Sequence, residues 1–207
     1  MSNLFGDLYM KILTLPGIII GLSFHEFAHA WMSNKLGDPT PRMQGRLTVS
    51  PLAHVDLIGF VCLLICGFGW GKPVMIDPRY YKKRRRDELL VALAGVIMNL
   101  LLAIIFSFPT KWLYSAYSTS GNTLFETLFY ICMFIVQINL CLMIFNLIPV
   151  PPLDGWGILT QLVDLEKYRW YPYVYQYGGW FLLLLILFDV TDIVLMPCIN
   201  FFMNILF

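Results

Sequence analysis

Charged residues are scarce in this chain. Lys and Arg number 14 and Asp and Glu 13 among 207 residues, whereas 58% of the residues are hydrophobic. Soluble domains carry about a quarter charged residues, so this composition excludes an ordinary soluble domain and also a disordered chain. The near balance of the two signs leaves no basic excess that would point to nucleic acid. The five cysteines include no CxxC pair, which argues against a disulfide framework or a thiolate zinc site.

Long apolar runs take the place of polar segments. A bilayer core of about 30 Å needs about 20 apolar helical residues. Four runs are long enough and two are shorter: 12–34, 89–110, 127–153 and 170–188, then 57–71 and 193–207. The sequence therefore predicts an all-α membrane protein, a polytopic bundle of about five to six transmembrane helices. We expect one domain over 1–207, with a catalytic core at about 8–160 and C-terminal helices at about 170–207.

The first apolar run contains an HExxH motif, His25-Glu26-Phe27-Ala28-His29. On a helix, two imidazoles four residues apart lie on one face, where both can bind a single tetrahedral zinc ion. Glu26 is turned about 100° from His25, so it can take a proton from the attacking water without occupying a metal position. The alternative is a pair of buried histidines satisfied by neighbouring helices. Ionisable groups are costly inside a membrane helix, which favours the metal site.

A third metal ligand must come from elsewhere, because hydrolytic zinc sites usually have three protein ligands. The other ionisable residue at the end of a long uncharged run is Asp154, which follows Pro149, Pro151 and Pro152. Three prolines in four residues end an α-helix, so an extended segment is expected here at membrane depth. Asp154 is predicted either to bind the metal or to cap a helix beginning near Trp156, and we favour the ligand.

At these two motifs the chain resembles the site-2 protease family of intramembrane zinc metalloproteases. The family pairs HExxH with a later Asn-x-x-Pro-x-Pro-x-Leu-Asp-Gly motif, and residues 146–155 match it position by position. The resemblance implies one Zn²⁺ per chain, bound by His25, His29 and Asp154. It also implies that Glu26 acts as a base and then as an acid.

Further stretches are similar to the compact subgroup of this family, which has no PDZ or CBS regulatory domain: 46–54, 69–74, 94–99 and 146. The resemblance implies that Asn146 and Asn99 are substrate-binding or oxyanion groups. Val96 stands where many relatives have proline, which affects packing near Asn99. His54 is the remaining histidine, and it is expected either to stabilise an oxyanion or orient substrate, or to cap the following segment through a hydrogen bond.

The basic residues suggest how the chain is oriented. Seven of the fourteen lie between residues 72 and 86, which places that loop in the cytoplasm by the positive-inside rule. The run ending near residue 150 then returns to the cytoplasmic side. His25 and Asp154 can share a metal only if the first span also runs inward.

This requirement constrains the short apolar run at 57–71. A single crossing by this run would put the proposed zinc ligands on opposite faces of the membrane. We therefore predict a re-entrant hairpin that turns near 66–69. The flanking residues 45–49 and 73–76 are predicted to form short membrane-associated strands beside the site.

The combined prediction is an intramembrane zinc metalloprotease that hydrolyses peptide bonds in transmembrane segments of substrate proteins. The alternative is a non-hydrolytic metal-binding membrane protein, such as a divalent-cation transporter or sensor. Transport would need polar ligands along a path, whereas here they cluster at two points. The expected partners are a transmembrane protein or peptide substrate and the lipid bilayer. Size and resemblance imply a multi-pass protein of the bacterial plasma membrane, with the active site toward the cytoplasm.

Overall fold

The chain folds almost entirely into α-helices. The computed structural model describes residues 2–66 and 69–207, and the side-chain surroundings of 9–62 and 69–207. Its α-helices in these ranges are α1 Ser2–Lys35, α2 Thr40–Met43, α3 Pro51–His54, α4 Leu57–Cys66, α5 Arg84–Ser120, α6 Thr123–Asn146, α7 Asp154–Val163, α8 Tyr171–Leu187 and α9 Asp192–Leu206. Short 3-10 turns lie at Pro78–Tyr80 and Leu165–Lys167. The predicted class, an all-α membrane protein, is confirmed.

The number of spans differs from the prediction. Within the described ranges, three helical stretches are long and apolar enough to cross a bilayer: Tyr9–Lys35 of α1, the whole of α5 and the whole of α6. Helices α8 and α9 give a fourth span only if they count as one, since they meet at a bend of 73°. Five to six spans are therefore not confirmed. The last two apolar runs form a bent pair, and the run at 57–71 contributes only the ten-residue α4.

Helices α1, α5 and α6 pack against one another and form the centre of the bundle. The buried apolar residues at this centre come from α5, α6 and α9: Val96, Ala103, Val136, Leu140, Met143, Ile144 and Leu195. Large apolar side chains also cover the outside of the bundle, for example Phe108, Trp112 and Trp180. Such an apolar exterior suits a lipid bilayer rather than water.

The segment between residues 55 and 71 begins and ends at the same place. Val55 and Gly71 form an antiparallel bridge, and the Lys72 N–H donates to the His54 carbonyl at 2.7 Å. A ten-residue helix such as α4 rises about 15 Å, half the thickness of a bilayer core. These contacts are those expected of a re-entrant segment. Its turn, predicted near 66–69, includes residues 67 and 68, which lie outside the described residues.

The short strands predicted at 45–49 and 73–76 are absent from the described part of the chain. Side chains form hydrogen bonds with backbone groups that a sheet would need for its own hydrogen bonds. The Arg46 guanidinium donates to the carbonyls of Lys72 and Pro73, at 3.3 and 3.5 Å. Pro73 has no N–H to offer a neighbouring strand. Residues 72–81 therefore form an irregular segment, called the strap below.

Candidate active site

Helix α1 carries the HExxH motif on its inward face. His25 is 5% exposed, and its ring meets that of His29 edge to face, with centroids 4.6 Å apart. The two Nε2 atoms lie 3.0 Å apart. The i, i+4 spacing thus brings both imidazoles to one point, as the sequence predicted.

Asp154 reaches the same point through the irregular turn at 147–153, which separates α6 from α7. Helix α7 begins at Asp154 itself, and the residue at its N-cap, Leu153, makes no side-chain capping bond. Capping therefore does not explain Asp154. Gly155 allows the turn to close, because a Cβ there would collide with the carbonyls of Leu147 and Ile148. With the turn closed in this way, the Asp154 side chain faces the two histidines.

The three inward-facing atoms form a nearly equilateral triangle. Asp154 Oδ2 lies 3.3 Å from Nε2 of His25 and 3.2 Å from Nε2 of His29. With zinc–ligand distances of 2.0–2.2 Å, two ligands of a tetrahedral zinc site are separated by about 3.3 Å. The triangle therefore matches one face of a zinc tetrahedron and leaves the fourth corner free. Within the described residues, these three side chains are the group able to hold a metal ion.

Two further observations fit a metal at this position. Asp154 Oδ2 is buried, yet it receives no hydrogen bond of normal geometry from the described residues. Gly95 of α5 leaves the space open, since a Cβ there would lie 2.5 Å from Nε2 of His29 and 2.6 Å from Cε1 of His25. An unsatisfied oxygen between two imidazoles, with room beside it, is the arrangement that a metal site requires.

Both imidazoles are held from behind by groups on α5. Nδ1 of His29 donates to the Val91 carbonyl at 2.8 Å, which leaves Nε2 facing the site. Nδ1 of His25 lies 2.7 Å from Oδ1 of Asn99. Such outer contacts orient metal-binding histidines.

Glu26 lies beside the metal position and is held by the strap. The Val74 N–H donates to Oε2 of Glu26 at 3.0 Å. The strap is tied down at a second point, because the Asp77 N–H donates to Oδ2 of Asp38 at 2.9 Å. Asp38 also accepts from Ser33 Oγ and from the Thr40 N–H. The general base predicted from sequence is thus oriented by a backbone amide far along the chain.

A cavity of about 430 Å³ opens beside these groups. It is lined by the histidines and acids of the site, by Pro73 and Val74 of the strap, by Asn146, and by residues of α5, α7 and α8 that include Glu88, Thr160, Gln161 and Tyr171. Asn146 lies on this wall, and its Nδ2 donates to the Leu142 carbonyl at 2.9 Å. The cavity therefore joins the metal position to the predicted base and to a polar wall.

The other two predicted residues lie away from the cavity. Asn99 is fully buried behind His25. His54 is fully buried as well, and its Nε2 donates to the Thr48 carbonyl at 2.7 Å. The contacts of Val74 with Glu26 and of Val91 with His29 could not be predicted from the sequence, because a backbone group carries no signal in the residue type.

This fold and site define a class: a helical membrane protein in which an HExxH helix and a distant aspartate form a group that could hold one metal ion. Comparison with known proteins gives the family. The sequence model of peptidase family M50 matches residues 113–186. YwhC of Bacillus subtilis, named as a candidate zinc metalloprotease, is 37% identical over 204 residues, covering 93% of this chain and 90% of that protein. No solved structure matches this chain significantly.

Rip2 of Mycobacterium tuberculosis, also named as a candidate zinc metalloprotease, is 30% identical over 182 residues; the match covers 85% of this chain and 67% of Rip2. The chain belongs to peptidase family M50, the site-2 protease family. It is a zinc metallopeptidase of the membrane, and Zn²⁺ is the metal that its histidines and aspartate fit.

Proposed function

We propose that this protein hydrolyses peptide bonds within transmembrane segments of substrate proteins. The observation that carries the proposal is a single cavity at the end of membrane helices that joins a three-ligand metal position to Glu26. Ionisable groups in membrane helices are costly and are retained where they serve a function. A protease that works at membrane depth needs these groups together at that depth.

The residues have complementary tasks in this proposal. His25, His29 and Asp154 would hold Zn²⁺, and the ion would supply the Lewis acidity that peptide hydrolysis needs. Glu26 accepts the proton of the attacking water and passes it to the leaving amine. The Val74 N–H occupies Oε2 of Glu26 and so leaves the other carboxylate oxygen for the proton.

The substrate is proposed to be a helix that unwinds locally, since the amides of an intact helix are shielded by their own hydrogen bonds. Asn146 on the cavity wall offers an amide to the unwound backbone. An apolar groove of about 450 Å³ lies between residues 149–151 and α8, where Tyr173, Tyr177 and Phe181 line it. This groove suits the apolar side chains of a lipid-embedded peptide.

A divalent-cation transporter is less well supported. Transport needs metal-binding groups along a path across the membrane. The described residues contain a single such group, at one end of the long helices. A catalytic centre accounts for this clustering, whereas a transport path does not.

We further propose that the protein lies in a bacterial plasma membrane with the active site toward the cytoplasm. Seven basic residues lie between 72 and 86, a range that covers the strap, the two residues after it and the start of α5. Such a concentration of positive charge favours the cytoplasmic side. In a Lys82→Cys variant, a membrane-impermeant thiol reagent should label position 82 only from the cytoplasmic side, and labelling from the outside would contradict this orientation.

Glu26→Gln tests the proposed reaction. The zinc-loaded protein and the variant are reconstituted in proteoliposomes with a fluorescent peptide that spans the membrane. General acid–base catalysis contributes about 100- to 10,000-fold, so cleavage by the variant should fall by at least about 100-fold while its zinc content stays at the wild-type level. Glu126→Gln is the matched control, because it removes a carboxylate from the first turn of α6, outside the cavity. Cleavage at the wild-type rate by Glu26→Gln would refute the proposed base.

A further inference from the structure

A chain of buried amides leads from His25 into the centre of the bundle. Asn99 of α5 and Asn139 of α6 are both fully buried. Nδ2 of Asn99 donates to Oδ1 of Asn139 at 2.9 Å and to the Gly21 carbonyl of α1 at 3.2 Å. Nδ2 of Asn139 donates to the Ile135 carbonyl at 2.8 Å. These contacts cross the three helices at the centre of the bundle.

The backbone carbonyls fix the direction of every hydrogen bond in this series of amides. A carbonyl can only accept, so the group that faces Ile135 must be the NH₂ of Asn139. The oxygen of Asn139 then faces Asn99, which must present its own NH₂ to that oxygen and to the Gly21 carbonyl. Only the oxygen of Asn99 remains to face His25.

The hydrogen bond between Asn99 and the His25 imidazole has a fixed direction as well. Oδ1 of Asn99 lies 2.7 Å from Nδ1 of His25, and because that oxygen can only accept, Nδ1 must carry the proton. Nε2 then presents its lone pair to the metal position, where it lies 3.3 Å from Asp154 Oδ2. His29 reaches the same state by a shorter route, since its Nδ1 donates directly to the Val91 carbonyl.

We propose that Asn99 and Asn139 form a positioning relay, in which two backbone carbonyls set the tautomer and ring orientation of His25 for metal binding. This role differs from direct contact with substrate, the role implied for Asn99 by family resemblance, and from simple tying of helices. Outer partners of metal-binding histidines commonly change metal affinity by about 10- to 100-fold when removed. The proposal rests on His25 being a ligand of the proposed metal site.

The relay is tested by zinc affinity, measured on the full chain in detergent micelles by competition with a chromophoric chelator. Asn99→Leu removes the acceptor at similar volume, and its dissociation constant for zinc should rise by about 10- to 100-fold. The visible absorption spectrum of bound Co²⁺ should also change, because the orientation of His25 changes. Asn99→Asp keeps an oxygen facing Nδ1 whether or not its carboxyl is protonated, and it should restore affinity to within a few-fold of wild type.

Two variants separate the relay from a structural role. Asn139→Leu leaves Asn99 with only the Gly21 acceptor, so it should weaken zinc binding less than Asn99→Leu does. Thr110→Val is the matched control, because Thr110 is also fully buried on α5 but bonds only to Phe106 of its own helix. This control should bind zinc as the wild type does.

Wild-type affinity and an unchanged Co²⁺ spectrum in Asn99→Leu would overturn the proposal. Equal losses in Asn99→Leu and Asn99→Asp would also overturn it, since they would indicate a structural role only. The assay uses Zn²⁺ and Co²⁺ alone, without substrate. A protein that binds zinc as expected but cleaves no membrane peptide would therefore refute the proposed function and leave the relay intact.

Discussion

Replacing Gly95 with alanine should abolish tight zinc binding. The added Cβ would lie 2.5 Å from Nε2 of His29, and 2.6 and 2.7 Å from Cε1 and Nε2 of His25. Non-bonded carbon atoms are normally about 3.5–4.0 Å apart, so both rings would have to retreat by roughly 1 Å. The rings cannot retreat freely, because Nδ1 of His25 is hydrogen-bonded to Asn99 and Nδ1 of His29 to the Val91 carbonyl.

The size of the effect follows from the geometry of zinc. Ligand distances in zinc sites vary by about 0.2 Å, so a retreat of roughly 1 Å is several times what the site tolerates. We therefore expect the affinity for zinc to fall by at least about 100-fold, the upper range for disturbed outer contacts. In a helix without this crowding, replacing glycine with alanine stabilises the fold by about 0.5–1 kcal/mol. A loss of zinc affinity in Gly95→Ala would therefore reflect the collision with the two rings, not a weaker helix.

Gly157→Ala provides the control. Gly157 lies on α7 and lines the same cavity, but a Cβ there would meet only Ala92 Cβ, at an ordinary 3.6 Å. Zinc content after dialysis and chelator competition would be measured for both variants, with circular dichroism as a check of helix content. Zinc affinity at the wild-type level in Gly95→Ala would refute the packing of α5 against the two imidazoles.

Two further predictions concern Asp154 and the strap. Asp154→Ala removes one of three ligands, so zinc measured by mass spectrometry after dialysis should fall well below one ion per chain; full retention would show that the carboxylate is not a ligand. Burial alone would raise the pKa of Asp38, but hydrogen bonds from Thr40, the Asp77 N–H and Ser33 outweigh it and lower the pKa below the usual value. A lowered folded-state pKa means that this carboxylate stabilises the strap above the unfolded pKa of about 3.9, and that the stabilisation is lost as the pH falls through the folded value. Asp38→Asn should therefore expose the strap to limited proteolysis at pH 7, whereas the wild-type strap should become sensitive only in acid; equal protection of both proteins at pH 7 would contradict the clamp.

Much of the fold was predictable because the decisive signals are local. The long apolar runs around residues 12–34, 89–110 and 127–153 predicted the three principal spans. The length of α4 was harder to predict, since an apolar run of fifteen residues fits a short span, a re-entrant segment or a buried helix. The strands at 45–49 and 73–76 were wrongly expected, because the sequence does not reveal that Arg46 and Glu26 bind the backbone of the strap.

By itself, the sequence determined the chemistry of the candidate site. HExxH spacing sets two imidazoles on one helical face. In a chain with so few charges, Glu26 stands out inside one apolar run and Asp154 directly after another. Only the tertiary structure decided how these groups are held. Side chains of α1 lie against Gly95, Asn99 and Val74, which are 48 to 74 positions away in the sequence. Such contacts depend on how distant segments pack together. Sequence periodicity fixes the face that each helix buries, but the partner of that face is chosen by packing across the whole bundle.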